Sequence, residues 1–154
     1  MKEALTHLPE ELFAFMQQPR LTQVTTLDLE TGGPFANVIS WVLAHTPETI
    51  RLVGDGRTRF VQNMKADSRV ALTILGAGTA WTVYGRARVL AEPVPGIALP
   101  FTLLEVTDLQ VHEVIFWGAK LSQEPRWAVT GSQEVADKLD AEVFAAMRTL
   151  AAAR

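Results

Sequence analysis

The clearest alternation in the chain runs through residues 81–89. Trp81, Val83, Gly85, Ala87 and Val89 take turns with Thr82, Tyr84, Arg86 and Arg88. That period of two places one face of a strand on a core and the other in water. Runs rich in β-branched and apolar residues predict further strands over 21–29, 49–53 and 70–75, and one or two more over 101–106 and 109–117. Residues 35–45 are apolar on both faces apart from Asn37 and Ser40, which predicts a single strand covered on both sides. Helical spacing appears three times. Over about 8–18, Leu12, Phe13 and Met16 share a face, Pro9 suits the first helical position, Glu10 and Glu11 suit the positive end, and Pro19 ends the helix. Over 58–66, Phe60, Val61 and Met64 point inward, leaving Arg57, Arg59 and Lys65 toward solvent or a ligand. Over about 130–151, Val135, Leu139, Val143, Met147 and Leu150 form an apolar stripe that Thr130 or Ser132 can cap.

Six or seven strands, few helices and hairpin-like turns such as residues 76–78 predict a mainly β fold with a mostly antiparallel sheet. A sheet of that size loses its exposed edges by closing into a barrel. The whole chain of 154 residues then reads as one domain, with the barrel over about 21–117 between an N-terminal and a C-terminal helix.

Composition narrows the function. A net charge of -3 and a pI near 5.6 argue against a nucleic-acid surface, which needs clustered positive charge. The absence of Cys removes disulfides, thiol nucleophiles and Cys-ligated zinc. No window approaches the roughly 18 apolar residues of a membrane span, and the N-terminal residues lack the apolar core of a signal peptide. These features together predict a cytoplasmic protein without a membrane partner.

The stretch with most chemistry is Gly54-Asp55-Gly56-Arg57-Thr58-Arg59. A predicted strand ends there, a glycine turn follows, and a helix opens with a hydroxyl and guanidinium groups. Backbone amides at a helix start together with Arg suit an anion, phosphate above all. The same residues also read as a plain cap and a solvated arginine. Asn63 suits a local hydrogen bond as well as a ligand contact. His7, His45 and His112 show no metal-binding spacing. Residues 76–81 lack the third glycine and the following helix of a dinucleotide loop, and read as a hairpin turn. No nucleophile–base set or carboxylate pair can be assembled from the spacing, so no catalytic side chain is assigned.

The order of these pieces resembles the FMN-binding split-barrel superfamily typified by pyridoxamine 5'-phosphate oxidase. The matching text is PFANVISWV at 34–42, a strand ending in a turn with Thr58 and Arg59, then Asn63 and Met64, SRVAL at 68–72, and WTVYGRARVL at 81–90. The resemblance implies a split β-barrel with flanking helices that forms a homodimer, with two small-molecule sites at the interface. It implies FMN as cofactor, its ring along the backbone of Val38, Ile39, Ser40 and Trp41, and its phosphate at Thr58 and Arg59. Asn63, Trp81 and Arg57 fall near that site, and Arg86 or Arg88 belongs to the strand that relatives offer to the partner's site. Two positions depart from the pattern. FMN-binding relatives often place Lys where this chain has Phe60, and the oxidase carries Arg where this chain has Asn37. Either Arg51, Arg57 or a partner arginine is the substitute phosphate ligand, or FMN binds weakly, or another ligand takes its place. The oxidase's C-terminal substrate segment has no match, so pyridoxamine phosphate oxidation is not expected. A flavin-dependent oxidoreductase, a flavin-free binding or regulatory module, and a relative using haem (with His45 or His112) or a deazaflavin all stay open.

Overall fold

The structure, a computed structural model, describes residues 3–151. Its elements in order are α1 (Glu10–Phe15), β1 (Thr22–Leu27), β2 (Pro34–Ile39), β3 (Val42–Thr46), β4 (Thr49–Asp55), α2 (Arg59–Ala66), β5 (Arg69–Gly76), β6 (Thr79–Ala91), β7 (Phe101–Glu113) and α3 (Gln133–Thr149). The seven strands form one sheet in the order β2-β1-β5-β6-β7-β4-β3. Every neighbouring pair is antiparallel. Seven antiparallel strands with helices on the outside are the expected mainly β, split-barrel arrangement.

The run over 35–45 is not one strand. It breaks at Ser40 and Trp41 into β2 and β3, which lie at opposite edges of the sheet. Apolar content alone could not show this, because both halves keep strand-like sequence on either side of the corner. The halves also differ in cover. β3 is buried through Val42, Leu43 and Ala44, whereas no residue of β2 is fully buried and Val38 is 57% exposed.

Burial along the other strands follows what lies over them. Ile50 and Leu52 of β4 enter the barrel core with Val24, Leu72, Val83 and Leu104. Their alternate, Val53, faces a second cluster made with Leu43, Leu103 and the α3 residues Val143, Phe144 and Met147. β4 is therefore covered on both faces. β7 is buried at every position over 101–106, then alternates over 107–113, where its outer face meets water. The two predicted segments there are one strand, which ends at Glu113 rather than continuing to Trp117.

The helices are shorter than their periodic patterns. α1 begins after Pro9, which holds an extended ψ of 153°, so the proline precedes the helix rather than opening it. In α3 the cap is Ser132, whose hydroxyl accepts the Val135 N–H at 3.2 Å. Val135 itself is 56% exposed, because α3 reaches the sheet only from Leu139 onward. Among the described residues, no helix is long and apolar enough to cross a membrane.

Candidate functional site

The corner between β2 and β3 faces the end of β4 and the start of α2 across an open cleft of about 360 Å³. Val38, Ile39, Ser40 and Trp41 line one side; Val53, Gly54, Asp55 and Phe60 line the other; Leu21 and Trp127 complete it. The wall is mostly apolar, and among the described residues Asp55 is its only ionisable group. Gly54 belongs here for a packing reason. A Cβ at that position would lie 2.4 Å from Phe60 Cζ and 2.9 Å from Val61 Cγ2, so the glycine lets α2 sit close against the strand end. Trp41 is fixed by an indole N–H bond to Asp140 on α3 at 2.7 Å and by a tilted ring contact with Phe101.

The turn after Gly54 is polar but already internally paired. Arg59 donates from Nε and Nη2 to both oxygens of Asp28, at 2.6 and 2.9 Å, and from Nη2 to Glu30 at 3.0 Å. Such a two-pronged guanidinium–carboxylate pair is among the stronger polar contacts available to a protein. Asp28 is buried at the β1–β2 turn, where its other contact is the Thr31 N–H. The Arg59 hydrogen bonds hold the Asp28 carboxyl well below the ordinary carboxylate range, and Asp28 in turn raises Arg59. Arg57 is exposed and forks onto Asp55, which lowers the Asp55 carboxyl to about 2. Thr58 directs its hydroxyl to the Asp55 carbonyl at 2.6 Å rather than outward.

The remaining candidates fall elsewhere. Asn63 is fully buried; its Oδ1 accepts the Leu29 N–H and its Nδ2 donates to Thr26 Oγ1, so it ties α2 to β1. Arg51 is also fully buried, under α3, and cannot serve as a substitute phosphate ligand. Arg86 is exposed on β6 and donates to Ser68 Oγ, while Arg88 donates to Glu105. Trp81 is buried beside a different cavity of about 580 Å³ shared with Tyr84, Val111 and His112. Within one chain the structure thus joins Val38 to Trp41 with the 54–60 turn, and leaves Trp81 and Arg86 apart from it. Among the described residues, no cluster of His, Asp or Glu is arranged to hold a metal.

Sequence reasoning missed Asp28 and Glu30 as the partners of Arg59. They are about 30 positions away in a separate turn, and no local spacing signals such a pair. Phe60 was visible as an inward residue, but not as a wall of the cleft.

The Asp28 pair has a pH consequence. Its folded-state pKa lies below the ordinary 3.8, so its stabilisation is fully present above about pH 4 and fades as pH falls toward the folded value. Asp28→Asn is expected to be less stable at pH 7 and to lose less stability between pH 7 and pH 3 than the parent. Urea denaturation at the two pH values reads this directly; equal losses in both proteins would refute it.

The fold is a split barrel with an open cleft between the β2–β3 corner and the start of α2. A family model for pyridoxamine 5'-phosphate oxidase matches residues 8–96, and the chain belongs to that family. Its structure is similar to that of a Lactobacillus delbrueckii protein named for pyridoxamine 5'-phosphate oxidase, with 19% identity, a TM-score of 0.61, and 72% of this chain and 99% of the other covered. It is also similar to an F420 reductase, with 16% identity, a TM-score of 0.56, and 68% and 98% covered. A third similar structure is HupZ from Group A Streptococcus, with 13% identity, a TM-score of 0.55, and 78% and 99% covered. No curated protein matches the sequence. At these identities the structural likeness establishes the fold.

Proposed function

We propose that the chain is a flavin-class binding protein of the pyridoxamine 5'-phosphate oxidase family, acting as a homodimer and distinct from the oxidase. The observation that carries this reading is the cleft itself. It gathers Val38, Ile39, Ser40 and Trp41 against Gly54, Asp55 and Phe60, beside a strand edge with no neighbour in the sheet. Apolar walls suit a flat ring, and free backbone groups along β2 suit its polar rim. A bound flavin would supply redox chemistry that needs no side-chain acid or base. The residues do not fit the whole of FMN equally. The ring half fits the cleft. The phosphate half does not fit, because Arg59 and Arg57 are engaged by Asp28, Glu30 and Asp55.

The dimer is supported by exposed apolar groups that a single copy leaves uncovered. Val38 stands at the β2 edge, and Phe116 and Trp117 lie on the segment after β7 at 77% and 98% exposure. Sedimentation at micromolar concentration is expected to give a dimer; a monomer would remove the shared-site part of the reading. The flavin part is tested by the visible spectrum of the purified protein and by quenching of added flavin fluorescence. Saturable quenching at micromolar protein is expected. Its absence, for FMN, riboflavin and a deazaflavin alike, would favour the flavin-free module, the reading that the internally paired Arg59 supports.

A further inference from the structure

We infer that this cleft takes a flat aromatic ligand bearing no phosphate at the α2 end, so that a neutral flavin such as riboflavin is preferred to, or bound as well as, its phosphate ester. This deepens the flavin-class reading and rests on it.

The first support is the state of Arg59. Two of its donor nitrogens are spent on three carboxylate contacts. Unless it displaces Asp28 or Glu30 from Nε and Nη2, a phosphate reaching Arg59 meets only the remaining Nη1. Displacement is unfavourable because Asp28 is only 5% exposed and its backbone also closes the β1–β2 turn, through Asp28 N–H to Gly33 O and Gly32 N–H to Asp28 O. The turn so closed holds the Asp28 main chain, and its carboxylate stays at a place that water barely reaches. It would remain as a buried charge without its guanidinium, the costly outcome when one member of such a pair is taken away. It would also stand beside the incoming anion.

The second support is the sign of the surroundings. Two guanidinium groups around the turn face three carboxylates, those of Asp28, Glu30 and Asp55. Asp55 borders the cleft directly, and among the described residues no Lys or Arg lines it. Like charges at this range disfavour an anion.

The third support is Phe60, which stands directly after Arg59. It is 6% exposed, its ring reaches over Gly54, and it forms a cleft wall. An apolar ring at this place gives a phosphate no donor and adds contact for a ligand's flat face.

The chemical class that meets these features is a planar heterocycle with N–H or O–H donors toward Asp55 and a neutral tail. The Arg59–Asp28 pair is, on this reading, a clasp that ties α2 to the β1–β2 turn.

The test is a paired titration of the full chain with riboflavin and FMN under one buffer condition, read by fluorescence quenching, repeated on Arg59→Ala. The expected result is riboflavin binding at least as tight as FMN, with the ratio of the two affinities unchanged in Arg59→Ala. FMN binding tenfold or more tighter than riboflavin, with that preference lost in Arg59→Ala, would overturn the inference while leaving the flavin-class reading in place. Binding of neither flavin would overturn the flavin-class reading and this inference with it. Riboflavin binding by Arg59→Ala also reports that the variant is folded. In Asp28→Asn, which frees part of the guanidinium, FMN is expected to gain on riboflavin about tenfold, the scale of one charge-assisted bond. No gain there would overturn the clasp.

Discussion

Arg51→Met is expected to destabilise the protein by about 3–5 kcal/mol, the usual cost of removing one partner of a buried ion pair. Arg51 is fully buried and Glu105 is 3% exposed. Arg51 Nε donates to Glu105 Oε2 at 3.1 Å, and its Nη1 donates to the Met147 and Leu150 carbonyls at 2.8 and 2.6 Å. Those carbonyls are at the end of α3, where a helix leaves acceptors without internal partners. One side chain therefore neutralises a buried carboxylate and closes a helix terminus. Methionine can fill much of the volume but does neither. Glu105 would keep only Arg88, whose side chain is 49% exposed. At about 2–4 °C per kcal/mol for a chain of this size, the melting temperature should fall by about 6–20 °C. Pairing Arg51→Met with Glu105→Leu should recover much of the loss, because it removes the stranded charge along with its partner. A single variant that lost less than about 1 kcal/mol would show that this network does not hold α3 to the barrel.

Gly85→Val is expected to cost about 3 kcal/mol, at the upper end for forcing extra atoms into a packed interior. Gly85 lies in β6 at a register shift opposite β7. A Cβ there would sit 2.5 Å from Val106 Cγ1 and 2.8 Å from the Thr107 carbonyl oxygen. A methyl can rotate away, but the carbonyl oxygen belongs to the paired strand and can retreat only if β6 and β7 part. Just beyond, Asp108 takes a positive φ of 55°, so β7 is already bent at this point. The urea midpoint should fall with an unchanged denaturant slope. A midpoint within error of the parent would mean that the two strands have room that the contact distances do not show.

Gly85 also shows what the sequence could reveal. The alternation over 81–89 and the glycine inside it were legible at once, because a strand with one wet face writes its period directly. The same alternation lapses toward the end of β6, where Val89 is exposed and Leu90 turns to the second cluster. A further register shift between Val89 and Ala91 changes the phase, and no single-residue property announces it. The corner at Ser40 and Trp41 was hidden for a related reason: the chain crosses between sheet edges without a glycine or proline. Of the candidate cleft, Val38 to Trp41 and the turn that opens at Gly54 could be picked out because each group is local, whereas Leu21, Phe60 and Trp127 as its walls could not. The charge balance around Arg59 was not legible, since it depends on a turn brought in by tertiary packing. Arg51 read as one polar position in a strand, and only α3 lying over it reveals its role.

The strand order has a consequence for how quickly the molecule assembles. β1–β2 and β3–β4 are hairpins of near neighbours, and β5–β6–β7 is a meander. Each can form through short loops. The two remaining junctions, β1 with β5 and β4 with β7, join partners such as Val24 with Leu72 and Leu52 with Leu104, close to 50 positions apart. Distant pairings of this kind slow folding because the chain loses loop entropy before the contact forms. Refolding is therefore expected on a millisecond-to-second scale, with the central meander as the template onto whose two flanks the hairpins zip.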